Sequence, residues 1–374
     1  RKLYQKYYSN PNSFILNQLN EDFLSLDLSH YTIKDISVIS DLLSKYFYFQ
    51  QIDVAPYDPN NGEPNKQNKG RKMISAGDKY KSERDKKEQE EKKINMYNKI
   101  ILGIAKNLSL SKKILSFNLC MFPLSQKLCE YLSQALVDNK SLQSLSITNC
   151  SILLNSYERL LKGLLSHPTL AYLDLSNNNF SDKYGNMIGR IIIRQAQRRD
   201  QIIWSYGLRN ERPLNNDYRK GIISINLSGN KLAKDAADCI SNALCSDQYI
   251  RLIDLRSNNI DNPSCKKFIY MMRKNLCLLT VDLRENPGYD DSIHPRLVMK
   301  MSKNIRYLYQ QFQKGEYTED EFENFKEFIE PSFFDVDIPQ EIVEFYNNNL
   351  PANTNNNNEV NTNENGEIQT QQNE

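Results

Sequence analysis

Apolar residues return along the middle of this chain in one fixed cadence: apolar, two spacers, apolar, one spacer, apolar, two spacers, then Asn or Cys. The cadence reads Leu142, Leu145, Ile147, Cys150, Ile152, and again Leu170, Leu173, Leu175, Asn178, Phe180. It continues as Ile222, Ile225, Leu227, Asn230, Leu232, then Ile250, Ile253, Leu255, Asn258, Ile260, and ends on Leu278, Val281, Leu283, Asn286. Measured at the second apolar position, the steps are 28, 52, 28 and 28 residues, so one unit carries 24 extra residues. This is the signature of a leucine-rich repeat. A stretch such as Leu173-Asp174-Leu175 alternates with a period of two, which predicts a short strand with one buried face. The Asn or Cys that follows can satisfy backbone groups where the chain leaves the strand. About 17 residues then remain in each unit, enough for a helix and two turns. The expected fold class is therefore α/β: a leucine-rich-repeat solenoid, or horseshoe, of 28-residue β-α repeats, with parallel strands on the concave face and helices on the convex face.

The same cadence organises the flanks. Ile114, Phe117, Leu119, Phe122, Leu124 extends the array backward by one 28-residue step. Phe23, Leu26, Leu28, Tyr31, Ile33 fits the template with Tyr in the Asn position, and Phe49, Ile52, Val54 follows 26 residues later. Helical faces are predicted at Ile36, Ile39, Leu43, at Leu128, Leu132, Leu136 and at Leu160, Leu161, Leu164, Leu165, with Asn262-Pro263 opening another helix. The solenoid is expected over residues 1–313, interrupted by a charged insertion at 55–93 and a second insertion at 192–220. From Lys79 to Lys93 the chain is dense in Lys, Arg, Glu and Asp and reads as a solvated loop, with helix resuming over Met96 to Leu108. Residues 314–346 are expected to form a helical cap over the end of the stack. In that cap Thr318 and Glu321 make a capping box, and Phe322, Phe325, Phe328 and Ile329 make an apolar face. An acidic, Asn-rich tail at 347–374 is expected to be disordered. Residues 314–374 hold fifteen acidic and two basic side chains.

Composition narrows the function by exclusion. The formal net charge of +2 gives no global attraction to nucleic acid. The seven cysteines lack a CxxC pair and read as reduced thiols of a cytosolic protein. No apolar run approaches the ~20 residues of a membrane span, and no signal peptide is visible. His30, His167 and His294 are scattered, no phosphate-binding glycine loop is present, and Asp335 with Asp337 lacks the ordered ligands of a calcium loop. No catalytic residue, metal site or cofactor is expected. What remains is surface. Aligned polar columns on the strands run Asn118, Ser146, Asp174, Asn226, Asp254, Asp282 and Cys120, Thr148, Ser176, Ser228, Arg256, Arg284. Asp254 and Asp282 either satisfy Arg256 and Arg284 across the strands or offer charge to a partner. The second insertion carries Arg198, Arg199, the lone Trp204, Arg209 and Arg212. Trp204 there either packs back on neighbouring helices or forms an interface hot spot. Partner contacts are placed on this insert and on Asp174, Asp254, Arg256, Asp282 and Arg284.

A long arginine-rich helix bearing Arg198-Arg199 and Trp204, followed by Leu208-Arg209 and Arg212-Pro213 and then directly by the repeat strand Ile222 to Leu227, resembles the centrosomal protein of 78 kDa family. The long interruption after the second strand and the opening Tyr4 to Tyr8 with Asn12 and Leu19 resemble that family's layout as well. The resemblance covers residues 1 to 304. It implies a protein of centrioles and ciliary basal bodies, within the cytoplasm and cytoskeleton, that works through protein partners and is linked to centriolar ubiquitin-ligase regulation. The family's coiled coil has no counterpart here. The expected function is thus a non-catalytic protein-binding scaffold. Two other classes stay open: a GTPase activator whose solenoid orients the partner's own catalytic groups, and an axonemal structural protein bound to microtubules.

Overall fold

The structure, a computed structural model, describes residues 22–28, 31, 33–45, 47–55, 76–211 and 220–317, together with residues 322, 325 and 328. The chain divides into two units, Arg1–Asp337 and Ile338–Glu374, and the second lies wholly outside the described residues. In the first unit strands and helices alternate: β1 (Phe23–Asp27), α1 (Ile33–Leu43), β2 (Gln51–Ala55), α2 (Ala76–Leu110), β3 (Ser116–Cys120), α3 (Gln126–Asp138), β4 (Ser144–Thr148) and α4 (Leu154–Ser166). They continue as β5 (Tyr172–Asp174), a short 3₁₀ turn at Asp182–Tyr184, α5 (Gly185–Leu208), β6 (Ser224–Asn226), α6 (Lys234–Ser246), β7 (Leu252–Asp254), α7 (Asn262–Met271), β8 (Thr280–Asp282) and α8 (His294–Gln313).

The eight strands form one parallel sheet in sequence order, as a stack of β-α repeats requires. Leu145 pairs with Leu173, Leu173 with Ile225, Ile225 with Ile253, and Ile253 with Val281. The inserted unit therefore joins the sheet with no slip in register. All of these side chains point inward and are buried against the helices, and a one-residue slip would turn each to the other face.

Two sequence expectations need correcting. The first repeat was framed on Leu26, but Leu24 pairs with Ile52 and Leu26 with Val54, so its step to the second is 28 residues rather than 26. Leu24, Leu26 and Leu28 are all buried, so alternation alone permits two frames, and it is the partly exposed Phe23 that distinguishes them. The helix expected from Met96 begins at Ala76 and takes in the charged tract. Lys, Glu and Arg are good helix formers even without an apolar face. Lys92 and Glu88, one turn apart, join at 2.7 Å.

A ladder of side-chain amides ties each strand exit to the next. The amide nitrogen of Asn178 donates to the carbonyls of Ile147 and Leu175, and its oxygen accepts from the Cys150 N–H. Asn230, Asn258 and Asn286 repeat the arrangement one rung further each time. The residue before each rung (Asn149, Asn177, Gly229, Ser257, Glu285) lies at positive φ, turning the chain off the strand. A Cβ on Gly229 would stand 2.0 Å from the Asn177 side-chain oxygen, so only glycine fits at that rung.

Candidate protein-binding surface

The strand face away from the helices carries the polar columns in register, Asp53 beside Asn118, Ser146, Asp174, Asn226, Asp254 and Asp282. Much of this polarity is used locally. In four successive repeats the column side chain accepts the backbone N–H two residues on: Asp174 from Ser176, Asn226 from Ser228, Asp254 from Arg256 and Asp282 from Arg284. This is an Asx turn, and it sets the exit from each strand. The two arginines then fork onto the same acids. Arg256 reaches Asp254 at 2.7 Å and Asp282 at 3.2 Å, and Arg284 reaches Asp282 at 2.7 Å. Hydrogen bonding to Asp254 holds the Arg256 guanidinium above its ordinary pKa, and Asp282 does the same for Arg284. The cluster is a self-neutralising relay with Asp282 buried at its centre and both guanidinium groups partly open.

A second ladder, which no recurring letter in the sequence announces, lies at the opposite end of the repeats, where each helix turns into the next strand. There a buried or half-buried acceptor takes the backbone N–H groups two and three residues ahead. Ser111 takes Lys113 and Ile114; Asn139 takes Ser141 and Leu142; His167 takes Thr169 and Leu170; Asp247 takes Tyr249 and Ile250; Asn275 takes Cys277 and Leu278. Donors come from the following helix or turn, as when Asn139 donates to Leu108 and Asn275 to Leu244. The signal was a 28-residue spacing of chemically different acceptors.

This ladder explains the arginine pair. The unit with extra residues has no ordinary turn 28 residues after His167; α5 runs straight through that position at Gln195. Gln195 donates to the carbonyls of Leu164 and His167, and Arg198 donates to those of His167 and Pro168 at 3.1 and 2.7 Å. Arg199, 1% exposed, faces the other way and donates to the carbonyls of Lys220 and Ile222 where the chain re-enters the sheet. Its guanidinium lies 4.6 Å from the centre of the Tyr249 ring. Burial lowers its pKa to about 10, while Asp247 acts against that loss. Asp247 is itself pushed up by burial and pulled back by its two N–H donors and by Arg199. Gly221, at φ +135°, leaves the space Arg199 fills; a Cβ there would stand 2.4 Å from the guanidinium.

Arg198 and Arg199 thus fasten the insertion to the repeats on either side, and their charge is spent on backbone carbonyls. Trp204 is different. It is 67% exposed, as is Leu208 one turn further along α5, and Ile203 beside them is 39% exposed. Arg209 follows at the helix end, paired with Glu211 at 3.1 Å and set over the Tyr206 ring. Arg212 lies outside the described residues.

His167 carries a pH consequence. Burial first, and the neighbouring Arg198 second, lower its pKa from 6.5 to about 4. A group depressed in the folded state supplies its stability above its unfolded pKa and loses it as pH falls toward the folded one. Stability should therefore fall by about 3 kcal/mol between roughly pH 6.5 and pH 4 through this residue. His167→Asn installs the side chain found at Asn139 and Asn275 and should flatten urea midpoints over that window. Equal pH dependence in the variant would contradict this assignment.

Among the described residues, no helix is long and apolar enough to cross a membrane, and no group of three or more His, Cys, Asp and Glu is placed to hold a metal ion. No protein-family model matches the chain. The solved structure of the leiomodin-1 actin-binding site 2 overlays with a TM-score of 0.35 at 12% identity, covering 58% of this chain and 96% of that one, too loosely to carry an argument. Curated sequences are more informative. Centrosomal protein of 78 kDa from Homo sapiens is 27% identical over 207 residues, 55% of this chain and 30% of that protein. The Mus musculus protein of the same name is 26% identical over 214 residues, 57% of this chain and 26% of that one. The Xenopus tropicalis protein is 29% identical over 111 residues, 29% of this chain and 15% of that one. The chain spans less than a third of the length of each relative. The resemblance read from the arginine-tryptophan insert is borne out: over rather more than half its length, this chain is similar to centrosomal protein of 78 kDa.

Proposed function

We propose that the protein is a non-catalytic, protein-binding scaffold of the centrosome, working at centrioles or ciliary basal bodies. Similarity to proteins named for the centrosome supports the setting. The observation that carries the mode of action is the exposed apolar face of α5. Trp204 and Leu208 stand in solvent on a helix whose root is pinned by two arginines. A large aromatic held out by a rigid element loses little entropy on binding, which is how interface hot spots work. The open strand face, with its half-exposed Arg256 and Arg284, is the second contact surface, and Asp174, Asp254 and Asp282 shape it. Partners of the kind implied by the family, centriolar proteins and ubiquitin-ligase components, would engage one or both.

Proximity labelling in a ciliated cell tests this. Trp204→Ala with Leu208→Ala should remove centrosomal neighbours from the labelled set while changing unfolding free energy by less than about 0.5 kcal/mol, since the side chains are exposed. A direct partner identified this way should lose about 2 kcal/mol of binding, roughly 30-fold. An unchanged set of neighbours would refute the α5 face as the contact surface.

A further inference from the structure

The open strand face is already partly occupied by the chain itself. Phe322 is buried, stacked on Phe312 of α8 at 4.5 Å and lying 5.8 Å from Tyr309. The N–H of Phe325 donates to the Phe322 carbonyl and that of Phe328 to the Phe325 carbonyl, each at 3.0 Å, so the chain turns once every three residues along this path. Such a turn keeps residues three apart on one side. The guanidinium of Arg251 sits 5.0 Å from the centre of the Phe325 ring. Phe328 is 2% exposed; its ring lies parallel to that of Tyr172 at 6.5 Å, and its carbonyl accepts the Thr280 hydroxyl at 2.8 Å.

These partners define a groove. Tyr172, Ser224, Leu252 and Thr280 are the first residues of β5 to β8 and pair in register. They alternate with the inward Leu173, Ile225, Ile253 and Val281, so they face away from the helices. Thr280 is nonetheless fully buried, whereas its counterparts Ser144 and Ser224 stay half-buried, and Phe328 is what covers it. Arg251 is the charge at the groove edge: it is held by the Cys277 carbonyl at 2.9 Å, and its Nε meets no acceptor among the described residues. The occupying stretch is acidic as well as aromatic. Residues 316–330 contain seven Asp and Glu against one Lys.

The contacts are those of a peptide-binding site rather than of a core: two rings, one carbonyl and one cation–π contact, spread over four strands. We propose that this first-position column of β5 to β8 is a docking groove for an acidic segment with phenylalanine at every third position. Phe322 to Phe328 is its resident occupant, and a partner segment of the same chemistry displaces it. The inference rests on the protein being a binding scaffold and names the partner chemistry of one of its faces. Self-occupancy lowers the apparent affinity for a competitor by the fraction of time the groove is free. The bound state of the groove is thereby tied to the C-terminal segment.

A fluorescent peptide of residues 316–330 is the probe, titrated into the full-length chain. Phe325→Ala with Phe328→Ala in the chain should raise probe affinity at least 10-fold over wild type by emptying the groove. Adding Arg251→Ala should remove that gain, and a probe with its three phenylalanines changed to Ala should bind neither chain. Equal affinity of wild type and double variant, or no binding to either, would overturn the proposal. If thermal melting shows that the double variant does not fold, a protease site placed at residues 318–319 of the wild-type sequence and cut after folding serves instead. The severed segment should then exchange with excess probe, and its permanent retention would overturn the proposal. The assay uses purified components and leaves α5 untouched, so its failure is separate from failure of the labelling experiment.

Discussion

Arg199→Ala should destabilise the protein by about 3–5 kcal/mol, the range expected when one member of a buried charged pair is removed. The substitution deletes the donors to the Lys220 and Ile222 carbonyls and the contact with the Tyr249 ring, and leaves a cavity where a large side chain was 1% exposed. It also strips the buried Asp247 carboxylate of a charge that favours its ionised form. Arg198→Ala is the control. Arg198 also serves two carbonyls but lies only part-buried, so about 1–2 kcal/mol is expected. Urea unfolding of the two variants, with hydrogen exchange at β6, measures the difference. Equal losses would mean that burial of Arg199 contributes nothing beyond its hydrogen bonds.

Asn230→Leu should cost about 4 kcal/mol although it keeps the volume and adds apolar surface. The Asn230 side chain is the rung that spans the inserted unit. Its oxygen accepts from the N–H groups of Asn178 and Phe180, and its nitrogen donates to the carbonyls of Leu175 and Leu227. Leucine strands all four backbone groups in a site that is 5% exposed. Each stranded buried group costs about 1–3 kcal/mol, and water entry from the exposed side recovers part of the sum. Midpoints of urea unfolding for Asn230→Leu and for the exposed Asn179→Leu separate the ladder effect from a general intolerance of leucine. A loss below about 1 kcal/mol at Asn230 would remove the amide ladder as a source of stability.

The repeat frame was legible because one kind of residue recurs at one spacing, and a strand with a single buried face tolerates little else there. The frame failed at the first repeat, where Leu24, Leu26 and Leu28 satisfy two alignments and only the neighbouring strand chooses between them. Helix over residues 76–93 was missed because periodicity of apolar residues was the test, and this tract folds on propensity and charge pairing alone. The helix-to-strand ladder was invisible for a different reason. Ser, Asn, His and Asp each supply an acceptor to the same pair of N–H groups, so the function is conserved along the array while the letter is not. At the candidate site, composition marked the right segment without sorting its members. Arg198 and Arg199 are fastenings, Trp204 and Leu208 are surface, and only their separate burial tells them apart. The phenylalanine-rich stretch read as a cover for the last repeat. Phe322 does pack on α8, but the placement of Phe328 against Tyr172, three strands away, depends on a path no local pattern encodes.

The undisturbed pairing of Leu173 with Ile225 across an intervening detour has a consequence for how this chain can change. Added length enters and leaves at one helix end, and the sheet registers nothing of it. Since lengthening a flexible connection twofold costs only about 0.6 kcal/mol in closure entropy, this is the cheapest address in the molecule for new sequence. Material spliced between residues 209 and 220 would ride on anchors already in place, so novelty can accumulate there while every strand stays where it was.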